Sequence, residues 1–103
     1  MAYNLIVSQE AHEDINEIVH YMTEKLVNPT AAVAFLNDVE KCYHAVVENP
    51  NMYSLCHDAR LGSKGYRKIV VKNYLILYRV DDEAKAVFIV RIIYGGRNYA
   101  NLI

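Results

Sequence analysis

GYRKIVVKNYLILYRVDDEAKAVFIVRIIY, running from Gly65 to Tyr94, is the stretch that decides the fold. It contains three runs, Tyr66 to Val71, Tyr74 to Val80 and Ala86 to Tyr94, dense in the branched and aromatic side chains that suit a pleated surface. Only Lys72-Asn73 parts the first two runs, and the acidic turn Asp81-Asp82-Glu83 follows the second. Connections this short leave no room for a crossover helix, so the runs predict a meander of antiparallel hairpins. If Val71 pairs with Tyr74 and Val80 with Lys85, then Arg67, Ile69, Val71, Tyr74, Ile76, Tyr78, Val87, Ile89 and Arg91 share one face. Val70, Leu75, Leu77, Phe88, Val90 and Ile92 fall on the other, which this reading places beneath the helices. A slip of one residue would exchange the two sets.

Upstream, Tyr3 to Val7 is a short β-type run, and Ser8 offers a hydroxyl to cap a helix with Glu10 in its first turn. Within Gln9 to Leu26, the residues Ala11, Ile15, Ile18, Met22 and Leu26 recur at spacings of three and four, with an acidic opposite side. Asn28-Pro29 starts a second helix, because asparagine caps well and proline suits the first helical position. Phe35, Val39, Cys42 and Val46 form its apolar stripe, and Asn49-Pro50 ends it, since the residue before proline avoids helical angles. The short joint between the helices predicts an antiparallel hairpin. Asn51 to Gly65 reads as a loop, with a little strand near Tyr53 to Cys56. The order β-α-α-β-β-β makes an α+β domain: a helical hairpin on one face of a mainly antiparallel four-stranded sheet. At 103 residues it is one domain, 1–103.

Composition narrows the function. The apolar fraction of 53% supplies a core, while no stretch reaches the roughly 18 apolar residues of a membrane span. The N-terminus lacks a basic start and a long apolar run, which predicts a cytoplasmic protein that does not engage the membrane. Cys42 and Cys56 are in no CxxC arrangement and read as reduced, mostly buried thiols. Charge is uneven: residues 1 to 50 carry eight acids against two bases, and residues 51 to 103 carry nine bases against four acids. The basic half suits an anionic partner.

Chemistry-bearing motifs are sparse. No GxSxG, HExxH, P-loop or dinucleotide fingerprint is present, so neither an ordinary hydrolase nor a nucleotide enzyme is indicated and no cofactor is expected. Glu13, Glu17 and His20 fall along one helical edge, but a solvated face explains them better than a metal site. The most informative constellation is Arg60, Arg67, Arg79, Arg91 and Arg97 interleaved with Tyr66, Tyr74, Tyr78, Tyr94 and Tyr99. Guanidinium groups fork onto phosphates or carboxylates and tyrosine rings stack on bases or partner helices, although strand-end arginines also snorkel and tyrosines also fill cores. Gly95-Gly96 lets the chain turn after the last strand and present Arg97 and Tyr99.

In this order and spacing, SQEAHEDINEIVHYM (Ser8 to Met22), Asn28-Pro29-Thr30-Ala31-Ala32, Asn49-Pro50 and GYRKIVVKNYLILYRVDDEAKAVFIVRIIYGGRNY (Gly65 to Tyr99) resemble the RelE/ParE superfamily of toxins of type II toxin–antitoxin, or plasmid stabilisation, modules. The likeness spans nearly the whole chain. It implies a growth-inhibiting toxin neutralised by a cognate antitoxin whose segment lies over the sheet and helices, with Ile69, Tyr74, Ile76, Tyr78 and Ile89 as the antitoxin-binding face. In the RelE-like branch such toxins cleave mRNA at the ribosome; in the ParE-like branch they inhibit DNA gyrase without cleavage.

On the cleavage reading, the resemblance assigns catalysis to Arg67, the "GYR" arginine, to Arg97 after the last strand, and to Tyr94, which stands where many members have a histidine. Arg60, Lys64, Arg91 and Tyr99 become candidates for gripping a nucleic acid or other target. Two departures weigh against cleavage. Leu75 replaces a frequent arginine, and no histidine follows His57. A tyrosine with an ordinary pKa near 10 is a poor base at neutral pH. A non-toxic antitoxin-binding module is the rival of a different class, and a homodimer and a toxin–antitoxin hetero-oligomer both stay open.

Overall fold

The computed structural model describes residues 3–56 and 59–95. Its elements are β1 (Asn4–Val7), α1 (Gln9–His20) continued by a π-helical turn (Tyr21–Lys25), α2 (Pro29–Glu48), α3 (Ala59–Ser63), β2 (Tyr66–Val71), β3 (Tyr74–Asp81) and β4 (Ala86–Tyr94). The sheet runs β1-β4-β3-β2, with β1 parallel to β4 and the other pairs antiparallel. This is the expected α+β domain. No helix among the described residues is long and apolar enough to cross a membrane. Cys56 is buried and Cys42 half-buried, and the two form no disulfide.

The helix boundaries follow local chemistry. The Ser8 hydroxyl accepts the Ala11 N–H at 3.0 Å and donates to the Val90 carbonyl at 2.8 Å, so one residue caps α1 and ties its start to β4. The Asn28 side chain accepts from the Ala31 N–H at 3.1 Å, with Pro29 in the first turn of α2. At the joint, the Asn28 N–H reaches back to the Met22 carbonyl at 2.9 Å and the Leu26 N–H to Tyr21 at 3.1 Å. That closure puts Val27 at φ 48°, the left-handed position that usually falls to glycine. A branched side chain is strained there, and Val27 is 77% exposed, so it gains little by burial. Val27→Gly is therefore expected to stabilise the fold by about 1 kcal/mol, read as a higher thermal midpoint. An unchanged or lower midpoint would show that the valine is not strained.

The core joins Ala11, Met22, Ala32, Phe35, Val39 and Val46 of the helical layer to Ile69, Val71, Ile76, Tyr78, Val87, Ile89 and Ile92 of the sheet. This reverses the face assignment drawn from the sequence. Ile69, Ile76, Tyr78 and Ile89, expected on an open antitoxin-binding face, are 0–2% exposed beneath the helices, and Tyr74 packs partly against the same core. The grouping was largely right: Val71 does pair with Tyr74, and Val80 pairs with Val87, an offset of two that keeps the same residues together. Register parity says which side chains travel together and not which set the helices cover. The other set holds Lys68 and Arg79, whose charges resist full burial, and it is the one turned away.

A β-bulge adds a second correction. Leu77 pairs with Arg91 but Tyr78 with Ile89, leaving Val90 extra, so Ile92 joins the helix-facing core and Arg91 leaves that set. The far face is not wholly bare either. Cys56 and Leu61, from the segment read as a loop, cluster with Leu75, Leu77 and Ile93, with Tyr66 packed alongside. The five-residue α3 forms there because Leu61 finds this apolar floor, a tertiary cause that local periodicity does not carry. The small strand foreseen near Tyr53 is a single bridge between Leu55 and Arg67, and Val70 remains 65% exposed beyond it.

Candidate functional site

Two of the arginines nominated from the sequence, Arg67 and Arg91, prove to be structural ties. Arg67 donates through Nη1 to the Tyr53 carbonyl, and Tyr78 beside it donates its hydroxyl to the Pro50 carbonyl at 2.7 Å. Burial pushes the Tyr78 phenol up to about 12, against the pull of Arg67. Arg67 and Tyr78 thus pin the chain leaving α2 onto β2 and β3, which satisfies backbone carbonyls that no strand pairs. Arg91 holds Asp14 of α1 in a fork, Nε to Oδ2 at 2.8 Å and Nη2 to Oδ1 at 3.0 Å. The Ile92 N–H donates to the same Asp14 Oδ2 at 2.9 Å. Among the described residues β1 covers β4 only from Ala86 to Ile89, so Asp14 caps an amide on the half of that strand that β1 leaves uncovered. The Arg91 pKa rises, chiefly through the hydrogen bond to Asp14 and then through the charges of Asp14, Glu10 and Glu17, with burial opposing them.

Arg60 and Lys64 are exposed at α3 and the turn after it. Arg97 and Tyr99 lie outside the described residues. Tyr94, the third residue given a catalytic role, is half exposed and belongs to a groove of about 540 Å³ between α1 and the uncovered half of β4. Asp14, Glu17, Ile18 and Tyr21 form one wall, and Tyr74, Arg91, Ile92, Ile93 and Tyr94 the other. Tyr74 meets Tyr94 edge to face at 6.0 Å between ring centroids and meets Phe35 at 5.2 Å. Its pKa is raised, first by burial and then by Tyr21 and Tyr94, so at neutral pH its hydroxyl is a donor and not a base.

The sheet face turned away from the helices makes a second surface. Register places Tyr66 opposite Arg79 and Lys68 opposite Leu77, and the Arg79 guanidinium lies 5.1 Å from the centre of the Phe88 ring. With α3, which bears Arg60 and precedes Lys64, packed on it through Leu61, this side of the sheet is basic and aromatic, a composition that can hold phosphates or an acidic protein. Lys68 is absent from the sequence-based candidates, and Arg79 stands in the arginine–tyrosine constellation without a role of its own. Their signal was present in the sequence: two bases in register with a set read as buried. Tyr21 was also missed, although it stands four residues after Glu17 and three after Ile18 and so shares their helical edge.

Tyr74, with its pKa raised, offers no proton acceptor for catalysis, and Arg67, engaged with a backbone carbonyl, no uncommitted guanidinium. The geometry can grip, stack and pair charges.

Comparison with known proteins agrees with this fold. No curated protein matches the sequence. Among solved structures, the chain is similar to the chromosomal ParDE toxin–antitoxin system from P. aeruginosa, with a TM-score of 0.68 and 19% identity over 90% of this chain and 96% of that one. It is also similar to a mutant of the E. coli toxin RelE in the free state (TM-score 0.69, 18% identity, 99% of this chain and 93% of that one). A third likeness is to the RelBE2 toxin–antitoxin complex from Mycobacterium tuberculosis (TM-score 0.64, 19% identity, 91% and 99%). At these identities the likeness speaks for the fold alone. The family model for the ParE toxin of the type II toxin–antitoxin system parDE matches residues 5–99, nearly the full length, and the chain therefore belongs to the ParE toxin family.

Proposed function

We propose that this toxin arrests growth by holding a protein target, in the manner of the gyrase-inhibiting branch of its superfamily, and that it does not cut RNA. The observation that carries this reading is the engagement of Arg67 with the Tyr53 carbonyl, which takes the "GYR" arginine out of a transition-state role. Leu75, in place of a frequent arginine, is 8% exposed and adds no charge. The ParE family match supports the same branch. Solved relatives include toxins bound to their antitoxins, and we read the partner that silences this chain as a cognate antitoxin of the same kind.

Induced expression in a bacterial host should stop growth, and the purified chain should inhibit the supercoiling activity of DNA gyrase. Normal growth with soluble protein accumulating would favour the non-toxic binding module. Arrest with unaffected gyrase would favour mRNA cleavage, the second reading, which the basic sheet face with Lys68 and Arg79 supports.

A further inference from the structure

The groove between α1 and β4 has a chemistry that the proposed target reading leaves unused. Three phenol rings, Tyr21, Tyr74 and Tyr94, look into it, and Phe35 braces Tyr74 from the core side. Aromatic faces carry negative charge density and attract cations. On the helical wall stand two carboxylates with different commitments. Both oxygens of Asp14 are occupied by Arg91 and the Ile92 N–H. Glu17 is exposed and, among the described residues, makes no ion pair.

The charges therefore favour a cation over an anion. Arg91, the one base lining the groove among the described residues, is already chelated by Asp14, so a phosphate or carboxylate would have to compete with an intramolecular fork. An arriving cation would meet the Glu17 carboxylate and three tyrosine rings. A guanidinium suits the place better than an ammonium, because it is planar, weakly hydrated and able to stack on a ring while forking onto a carboxylate. Among the described residues no strand covers β4 beyond Ile89 on this side, and the groove's volume of about 540 Å³ exceeds what one guanidinium head fills, leaving space for the flanking backbone.

We propose that this groove receives an arginine side chain carried by a protein partner, with Tyr21, Tyr74 and Tyr94 stacking on the guanidinium and Glu17 pairing with it. The inference rests on the reading that the toxin works through protein partners, and it does not depend on which target is arrested.

The test uses the full chain with ring-labelled tyrosines, titrated by NMR with Nα-acetyl-argininamide. Nα-acetyl-citrullinamide serves as the uncharged isostere, Nα-acetyl-lysinamide as the point charge and inorganic phosphate as the anion. The arginine probe should shift the Tyr21, Tyr74 and Tyr94 resonances along a saturable curve. The citrulline probe should bind about 2- to 30-fold more weakly, the range that a cation–π contact spans. Glu17→Gln, a change at an exposed position, should weaken arginine binding several-fold while the circular dichroism spectrum and thermal midpoint stay the same, and lysine should fall between arginine and citrulline. Equal binding of citrulline, saturation of the same rings by phosphate, or no saturation with arginine would overturn the proposal. None of these readouts uses growth arrest, so failure here and failure of the toxin mechanism are separate results.

Discussion

Asp14→Ala is expected to cost about 2–4 kcal/mol of folding stability, read as a lower urea midpoint at unchanged slope. The aspartate side chain is 11% exposed and its arginine partner 23%, so the pair is screened far less than a surface bridge. Removing the carboxylate takes away the acceptor shared by Nε and Nη2 of Arg91 and by the Ile92 amide on the half of β4 that β1 leaves uncovered. Arg91 can partly turn to water, which keeps the effect below the largest seen for buried pairs. Asp14→Asn should be milder, because an amide oxygen still accepts from Ile92 while the charge pairing is lost. A cost below about 0.5 kcal/mol for Asp14→Ala would mean that α1 is held to β4 by apolar contact alone.

The second large effect concerns the face of the sheet. Ile76→Ala should destabilise by about 2–5 kcal/mol, since the side chain is fully buried and its loss leaves a cavity in the core between helices and sheet. Had Ile76 stood on an open antitoxin-binding face, truncation would leave the free toxin nearly as stable and weaken only the complex. Denaturation of the isolated chain separates the two: a midpoint within experimental error of wild type would restore the orientation first drawn from the sequence.

Much of the architecture is written locally. Ser8, Asn28-Pro29 and Asn49-Pro50 set helix ends through bonds or steric limits spanning three or four residues, and such signals survive in a bare sequence. The hairpin turns are equally local, and the pairing of Val71 with Tyr74 follows from the two residues between them. What was not legible depends on contacts between distant residues. Asp14 and Arg91 are 77 residues apart, and nothing near either one announces the fork. Arg67 finds a carbonyl 14 residues away, in a segment with no periodicity to read. The bulge at Val90 changes the side on which Arg91 and Ile92 fall, and no glycine or proline marks it. The face inversion has another origin: both sets of strand residues are apolar enough for a core, so pattern alone left the choice to the helices. In the candidate site, Tyr94 and Tyr74 were already named from the sequence, in other roles, whereas Tyr21 and Glu17 join them in one groove only where α1 lies along β4.

The most direct test of a toxin that holds without cutting is primer extension on ribosome-bound mRNA from cells in which the chain has been induced. With growth arrested, the transcripts should remain intact at every codon, in the wild-type chain and in Arg67→Lys alike. Discrete new 5′ ends in the wild-type cells that vanish in a folded Arg67 variant would contradict it and return that arginine to a catalytic role.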